Sequence, residues 1–253
     1  QVNPAEVTTK MMDAAVANGA SLRLGAVEGL QREGDQVKGV LVNGEVVPCD
    51  VLVVAMGPWS VLLEKWLPEV KVPMEGVLSS SLLFRMPRPV EPPCALFCQE
   101  DDFGCHLEVN LRKDGTVYVC GLGGSRYLKE PDIAKLPPED VKPNPVRVKA
   151  ATDSLRAKTT IIEGLEPESA ACIRPCPPDA RPMIGNVMGN IYLACGHNCW
   201  GILWGPLTGQ IMADLVTGVQ PSVPLAAFDP LRFAPRAAKR GRHMVSRPVG
   251  EQW

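Results

Sequence analysis

One arginine, Arg174, stands in a sequence context suited to binding a carboxylate. It lies in Cys-Ile-Arg-Pro, at the end of an apolar segment that is predicted to be a strand. The planar guanidinium group presents N–H donors side by side, and these match the two oxygens of a carboxylate. We therefore predict that Arg174 binds a carboxylate of the substrate. The alternative is a structural ion pair with a local acid such as Asp179.

Glu108 and Asn110 lie two residues apart in another predicted strand, so they share one face of it. Both are predicted to contact the substrate. A carboxylate close to Arg174 would neutralise the guanidinium charge, which would disfavour a simple α-amino acid as the substrate. Glu108 therefore indicates either a substrate that carries an amine or a side chain that only faces solvent.

A turn rich in small residues, Gly196–Leu203, separates a predicted buried strand, Ile191–Cys195, from a predicted helix. Gly205-Pro206 predicts the start of that helix, because proline is favoured at the first helical position. Gly218 predicts its end. A helix N-terminus carries about half a positive charge and offers N–H groups, so it favours an anion or a group that becomes anionic during a reaction.

The cysteines indicate a reducing environment. There are nine of them, an odd number, and no secretory signal is recognisable, so we expect an intracellular protein, in the cytoplasm or an organelle lumen, rather than a secreted one. Three cysteine pairs share the spacing C-x-x-x-C, and His197 lies between Cys195 and Cys199. Structural zinc sites use tighter spacings and only three histidines are present, so no metal site is predicted.

The overall charge and hydropathy exclude several classes of partner. The chain has 253 residues and a formal net charge of −2, which gives no field to recruit nucleic acid or a membrane surface. No apolar run approaches the roughly 20 residues that a membrane-spanning helix needs. We predict a small-molecule partner, no nucleic acid and no membrane span. The basic C-terminal segment, residues 236–253, is predicted to be a disordered tail.

The first 70 residues follow the order of elements in the second half of a dinucleotide-binding fold. Asn3-Pro4 predicts a helix start, and Ser21–Val27 alternates as a strand does. Two turn signals, Gly-Asp and Asn-Gly, then predict a three-stranded meander. The apolar run Val51–Ala55 is typical of a central parallel strand. Gly57 follows at the carboxyl end of that strand, where ligands of such sheets bind.

From about residue 71 to residue 163 the pattern changes to alternating apolar and polar residues. The alternating segments are Val77–Arg85, Cys105–Leu111 and Val117–Gly121. Asn144-Pro145 predicts the start of a helix that runs through Ala157. This region is therefore predicted to be an antiparallel sheet with one or two helices, inserted into the other domain.

The segment from Ala171 to Gly218 resembles the C-terminal part of the flavin-dependent amine and D-amino-acid oxidase family, which includes glycine oxidase and sarcosine oxidase. The shared pattern is xRPxxPDxxPxIG, a short strand, and GHxxxGxxxxPxxG. The residues that carry it are Arg174-Pro175, Pro178-Asp179, Pro182, Ile184-Gly185, Gly196-His197, Gly201, Pro206 and Gly209. The resemblance implies FAD as cofactor and an α/β fold. The implied fold comprises a partial FAD/NAD(P)-binding (glutathione-reductase-like) Rossmann domain, residues 1–70 and 164–235. An antiparallel α+β substrate domain, residues 71–163, is inserted into it.

The same resemblance implies roles for individual residues. It makes Arg174 the catalytic residue that holds the substrate carboxylate. It expects the backbone of Val27 at the adenine end of the flavin nucleotide and Gly57 near its pyrophosphate. The pyrimidine edge of the flavin is expected at Gly196, His197, Gly201, Ile202 and Leu203. Without the resemblance, Val27 would be taken for a core valine and His197 for a turn residue.

Cys172 presents a further choice within that family. Sarcosine-oxidase-like members attach the flavin covalently through a cysteine at the matching place, and the spacing from Cys172 to Asp179 fits that pattern. The Arg-Pro step that follows Cys172 belongs instead to the non-covalent branch. Cys172 is therefore a candidate cofactor-binding residue with either a covalent or a purely packing role.

One part of the expected fold is missing. The opening strand and the G-x-G-x-x-G cradle of a flavin nucleotide fold are not found in the sequence. Cys120–Gly124 contains glycines after a strand, but Arg126 replaces the third glycine of the motif, so this stretch is predicted to be a turn. The chain is therefore either a fragment of a longer protein or a truncated relative that binds flavin weakly or not at all.

The predicted function is that of an FAD-dependent oxidoreductase. It would oxidise a C–N bond of an amine or amino acid by hydride transfer to the flavin. The alternative is a non-catalytic scaffold of the same fold that has lost flavin binding and interacts with another protein. The missing cradle favours that alternative.

Overall fold

The computed structural model describes residues 2–234, and the predicted tail at residues 236–253 lies outside them. The strands are β1 (Val27–Glu33), β2 (Gln36–Val42), β3 (Glu45–Pro48), β4 (Leu52–Val54), β5 (Glu75–Arg85), β6 (Ala95–Phe97), β7 (Glu108–Leu111), β8 (Thr116–Cys120), β9 (Arg126–Leu128), β10 (Glu168–Cys176), β11 (Met183–Met188) and β12 (Ile191–Cys195). The α-helices are α1 (Pro4–Ala17), α2 (Leu63–Trp66), α3 (Glu130–Lys135), α4 (Pro145–Lys158) and α5 (Gly201–Val216). Short 3-10 turns occupy Gly57–Leu62, Pro138–Asp140, Asn198–Trp200 and Pro230–Phe233.

The described chain divides into two compact units. The first unit comprises residues 2–55, 63–72 and 182–234, and the second comprises residues 56–62 and 73–181. Residues 164–181, which the sequence assigns to the nucleotide-binding domain, group with the second unit. Both units combine helices with β-sheets, so the chain has a mixed α/β architecture. Within residues 2–234, no helix has both the length and the apolar character needed to cross a membrane.

Two three-stranded sheets form the first unit. The antiparallel sheet β1-β2-β3 confirms the predicted meander. At its second turn Asn43 and Gly44 have φ angles of 49° and 79°, as a two-residue hairpin turn requires. In the other sheet, β11-β12-β4, β4 runs parallel to β12. β12 coincides with the predicted buried strand, whereas β4 lies at the sheet edge among the described residues rather than at its centre.

The predicted strand Ser21–Val27 is wrong, because residues 21–26 have no regular structure and β1 begins only at Val27. Leu22 and Leu24, which were expected to share a strand face, are both exposed, Leu24 to 83%. An alternating sequence is stabilised as a strand only by neighbouring strands and a surface to pack against. The described residues provide neither at this point.

Helix α5 begins at Gly201, one turn before the predicted start at Gly205-Pro206. The 3-10 turn Asn198–Trp200 leads directly into it, so Pro206 lies inside the helix. Pro206 is the sixth residue of α5. A proline at this position cannot donate to the carbonyl four residues before it, so the helix has one backbone hydrogen bond fewer.

The end of α5 agrees with the prediction. Gly218 follows the cap residue with a φ of 74°, and the Val219 N–H donates to the Asp214 carbonyl at 2.7 Å. This is the bond pattern of a Schellman motif, in which glycine relieves the strain of the left-handed conformation. The buried side chains Ile211 and Met212 of α5 form a small core with β11.

The second unit is built on one antiparallel sheet of order β10-β5-β8-β7-β6, with β9 also pairing with β5. One face of this sheet packs on α4. The core between them includes Leu82, Phe84, Val109, Val117, Val119, Ala151 and Leu155. Helix α4 begins where predicted, because the Asn144 side chain accepts hydrogen bonds from the N–H groups of Val146 and Arg147.

The glycines of Cys120–Gly124 form a turn, as predicted. Gly121 and Gly123 have φ angles of 74° and 73°. A Cβ atom on Gly121 would lie 2.2 Å from the His106 carbonyl oxygen, and one on Gly123 would lie 2.2 Å from the Gly104 carbonyl oxygen. Close backbone packing inside the second unit therefore explains these glycines.

We predict that Gly121→Ala destabilises the protein more than Gly164→Ala. Both glycines have a φ of 74°, so each alanine carries the same left-handed strain of roughly 1–2 kcal/mol. A Cβ on Gly164 would meet no atom within 4 Å, whereas the one on Gly121 clashes with a backbone carbonyl and adds about 1–3 kcal/mol. Denaturant unfolding measures the difference. Equal free energies of unfolding for the two variants would contradict this account of the turn.

Candidate active site

The sheet of the second unit has a polar face opposite to the face that packs on α4. Alternate residues of a strand share a face, and paired residues of neighbouring strands lie side by side. The strand register therefore brings together Cys172 and Arg174 of β10, Ser79 and Ser81 of β5, Tyr118 and Cys120 of β8, and Glu108 and Asn110 of β7. We call this set the polar face. Its residues are partly buried or exposed in the second unit.

Arg174 lies on the polar face opposite Val77 of β5. Its side chain is half-buried, and among residues 2–234 no carboxylate forms an ion pair with it. The alternative pairing with Asp179 is not formed; Asp179 accepts a hydrogen bond from the Arg181 backbone N–H instead. A half-buried guanidinium without an acidic partner can bind the carboxylate of a ligand.

Glu108 does not lie beside Arg174. Arg174 of β10 pairs with Val77 of β5. Glu108 of β7 pairs with Cys120 of β8, and the register between β8 and β5 places Cys120 opposite Ser81. Along the strand direction, Arg174 and Glu108 are therefore offset by the four residues from Val77 to Ser81. Across the sheet they are three strands apart, through the steps β10–β5, β5–β8 and β8–β7. At a rise of ~3.3 Å per residue and a spacing of ~4.8 Å per strand, their Cα atoms are about 19 Å apart. Glu108 is therefore not a strand neighbour of Arg174, and no ion pair joins the two among residues 2–234.

Asn110 lies further from Arg174 than Glu108 does. It pairs with Tyr118 of β8, which in turn pairs with Leu83 of β5. Asn110 therefore shares the polar face with Arg174 but lies towards its opposite end. Contact of both Glu108 and Asn110 with one substrate remains a prediction, and it requires a ligand that extends across the face.

Glu108 accepts a hydrogen bond from a cysteine that the sequence analysis did not single out. Cys120 Sγ lies 3.5 Å from Glu108 Oε2. Burial, followed by the charge and the hydrogen bond of Glu108, raises the pKa of Cys120 to about 12. Arg174 opposes this shift, but it is the smaller influence. The Cys120 thiol is therefore protonated at neutral pH and acts as a donor to the carboxylate.

Tyr118 forms a second group on the polar face, together with Ser81 and Arg112. Its hydroxyl is hydrogen-bonded to Ser81, and burial raises its pKa. The Arg112 guanidinium lies 4.8 Å from the centre of the Tyr118 ring, which is a favourable cation–π distance. The alternation of β8 places Tyr118 and Cys120 on one face, but only strand pairing brings them to Glu108 and Ser81.

In the first unit, His197 is held by the helix that follows it. Its Nε2 atom lies 2.9 Å from Thr208 Oγ1, which also donates to the Trp204 carbonyl at 2.9 Å. The hydroxyl proton is used in that second bond, so Nε2–H must donate to the hydroxyl oxygen, and Nδ1 carries the lone pair. Burial lowers the pKa of His197, which favours the neutral ring. His197 thus fastens the turn to α5, and its contact with a flavin stays a prediction.

The start of α5 presents glycines and apolar side chains at the surface of the first unit. No side chain among the described residues caps this helix N-terminus. Ile202 and Leu203 are exposed, Leu203 to 67%. Cβ atoms on Gly205 and Gly209 would meet nothing within 4 Å, and one on Gly201 would make an ordinary contact. This surface leaves room for a flat ligand beside the helix start.

The other predicted cofactor residues fall in both units. Val27 in the first unit opens β1 and is 36% exposed, so it is not a core valine. Gly57 in the second unit has a φ of 56°, and a Cβ there would meet no atom within 4 Å. Cys172 is exposed on the polar face. Gly196 has a φ of 78°. Their contact with a flavin nucleotide remains a prediction.

The cysteines and histidines form no metal site within the described part of the chain. No group of three or more histidine, cysteine or acidic side chains is arranged there to hold an ion. No disulfide joins the cysteines of the described residues, and Cys195 and Cys199 lie on either side of His197.

Comparison with known families identifies the class of protein. Residues 1–215 match the family model DAO, described as FAD dependent oxidoreductase. The match covers most of the chain, so the chain belongs to the DAO family of FAD-dependent oxidoreductases. The resemblance carried by residues 171–218 is thereby confirmed.

The chain is similar to several proteins of this family. It is 27% identical over 234 residues to a D-amino-acid oxidase of Bradyrhizobium diazoefficiens, covering 91% of this chain and 52% of that protein. It is 29% identical over 237 residues to a D-amino acid dehydrogenase of Xanthobacter autotrophicus, with 91% and 52% covered. The chain thus spans about half the length of these relatives.

A solved structure agrees with the fold. The L-proline dehydrogenase from P. horikoshii superimposes with a TM-score of 0.72 at 21% identity, over 92% of this chain and 60% of that one. At this identity the similarity shows the fold alone: a mixed α/β arrangement with antiparallel sheets that corresponds to a portion of that structure.

We predict that His197 makes stability depend on pH. Because burial lowers its pKa in the folded state, the unfolded chain binds the proton more tightly, and the free energy of unfolding falls as pH drops below about 6.5. In His197→Gln this contribution is absent, so the fall between roughly pH 7 and pH 5 becomes smaller. Denaturant unfolding at several pH values measures it. An unchanged pH dependence in the variant would show that His197 is not the group responsible.

We also predict that the Cys120 thiol is protected from alkylation by Glu108. Thiolates, not thiols, react with iodoacetamide, so a thiol with a raised pKa is labelled slowly near neutral pH. Glu108→Gln removes one cause of the raised pKa and should accelerate labelling. Glu139→Gln, an exposed acid outside the polar face, is the matched control. Mass spectrometry of the Cys120 peptide gives the rates, and equal rates in the two variants would contradict the assignment.

Proposed function

We propose that this chain serves the FAD-dependent oxidation of a C–N bond in an amine or amino acid. The observation that carries the proposal is Arg174, a half-buried guanidinium that has no acidic partner among the described residues and stands on a polar sheet face. Membership of the DAO family supports it, since the relatives include a D-amino-acid oxidase and a D-amino acid dehydrogenase.

In this proposal the two units have different tasks. Most of the candidate FAD contacts lie in the first unit, with Gly57 and Cys172 in the second, and the polar face of the second unit binds the substrate. The start of α5 fits a flavin, because it combines an uncapped helix N-terminus with exposed Ile202 and Leu203 and with glycines that leave open space. Gly57 similarly lets a phosphate approach the backbone. Val27, Gly196, His197 and Cys172 are retained as candidate cofactor contacts.

The chemistry divides between the cofactor and the protein. FAD, when bound, accepts a hydride from the carbon that bears the amine. Arg174 binds the substrate carboxylate through paired N–H donors and so holds the reacting carbon in one orientation. The positive end of α5 stabilises negative charge that develops beside it. No protein nucleophile or metal is required for these steps.

The scaffold alternative also has a specific basis. The G-x-G-x-x-G cradle does not occur in the 253 residues, and the relatives that the chain matches are about twice as long. Cysteines that form no disulfide among the described residues fit either function in a reducing intracellular compartment.

We predict that the 253-residue chain, purified with FAD, shows the visible spectrum of bound flavin, and that Arg174→Ala keeps this spectrum. The variant should lower kcat/KM by about 100-fold for a carboxylate-bearing substrate, because a charged hydrogen-bonded pair is lost. Arg85→Ala is the matched control: Arg85 is on the same sheet but exposed and paired with Glu168. Absence of bound flavin would favour the scaffold, and unchanged turnover in Arg174→Ala would contradict the role of Arg174.

A further inference from the structure

The polar face carries a second charge without an ionic partner, the carboxylate of Glu108. Among residues 2–234 Glu108 belongs to no ion pair. It is only partly exposed. A partly buried charge costs free energy unless a partner compensates it, so a carboxylate left in this state can gain from binding a cationic group.

Several other acids of the same unit form ion pairs. Glu75 pairs with Lys129, Glu168 with Arg85 and Asp101 with Lys158. Glu108, the first residue of β7, and Arg174, inside β10, instead lie on one face of the sheet with opposite charges, and no ion pair joins either of them among the described residues.

Cys120 sets the position of the Glu108 carboxylate. Its protonated Sγ donates to Oε2 at 3.5 Å, which leaves the other oxygen, Oε1, to accept a hydrogen bond from a ligand. The carboxylate is therefore oriented without being neutralised.

We propose that the polar face binds a substrate with two charged ends, a carboxylate on Arg174 and a distal ammonium or guanidinium group on Glu108. This inference rests on the function proposed above and specifies its substrate class. The α-ammonium of a simple amino acid is attached to the carbon next to the carboxylate, so it cannot reach Glu108 while the carboxylate stays on Arg174. Backbones about 19 Å apart, shortened by two long side chains, require several bonds between the charges. Basic amino acids and ω-amino acids meet this requirement.

Binding of small acids to the purified 253-residue chain tests the inference directly. Isothermal titration calorimetry compares 6-aminohexanoate with hexanoate, which has the same carboxylate and carbon chain but no amine. The wild-type protein should bind 6-aminohexanoate about tenfold more tightly, as expected for one hydrogen bond to a charged group. Glu108→Gln should abolish this preference and leave the affinity for hexanoate unchanged. Glu139→Gln, on an exposed 3-10 turn away from the polar face, should keep the tenfold preference.

A charge reversal provides the second variant. Glu108→Lys should reverse the preference, so that adipate, with a second carboxylate, binds more tightly than hexanoate. Equal binding of 6-aminohexanoate and hexanoate to the wild type, or a preference that survives Glu108→Gln, would overturn this inference and leave carboxylate binding by Arg174 intact. If the wild type binds hexanoate no better than Arg174→Ala does, the proposed role of Arg174 fails as well.

Discussion

The antiparallel register between β10 and β5 determines which side chains share the polar face. The two strands pair without a break from Glu168 opposite Leu83 to Cys176 opposite Glu75. This register turns Ile173 into the core and leaves Arg174 on the other face. A slip by one residue would exchange the two sets and bury the guanidinium among apolar side chains. The proposed substrate contacts therefore depend on backbone pairing before they depend on any side chain.

The polar face shows how charges can be kept available for a ligand. Exposed ion pairs contribute little to stability and can be formed almost anywhere on a surface. Charges that are partly buried are different, because each needs compensation. On the polar face a thiol donates to Glu108, and an aromatic ring rather than an acid faces Arg112. These neutral partners hold charged groups in place without cancelling their charge.

In the first unit, neutral side chains likewise hold the N-terminus of α5, whose backbone N–H groups form the candidate flavin contact, in place. The neutral imidazole of His197 fastens the turn to α5 through Thr208, so the position of the helix start does not depend on a capping side chain. Glycines beyond it keep the surface open. The same unit leaves helix α1 without a buried residue within the described chain, although its sequence is amphipathic. An apolar stripe predicts a helix, but it does not supply the surface that covers it.

Local signals sufficed for much of the chain. The Asn-Pro starts of α1 and α4, the Asn-Gly turn, the buried strand β12 and the Gly218 helix end were all readable, because each depends on a few neighbouring residues. The pattern around Arg174 also sufficed to identify the DAO family, since it spans an ordered series of residues. The local pattern failed at two places. At Ser21–Val27 no neighbouring strand among the described residues supports the predicted strand, and at Pro206 a preceding 3-10 turn extends the helix beyond its predicted start.

The sequence by itself thus determined the family, most of the elements and the candidacy of Arg174, because composition, caps and periodicity act over short distances along the chain. Only the tertiary structure decided that Arg174 forms no ion pair among the described residues, that strand order separates the Cα atoms of Glu108 and Arg174 by about 19 Å, and that Cys120 is the group that contacts Glu108. These facts follow from strand order and register, which join residues far apart in the chain. No local pattern specifies which strands become neighbours.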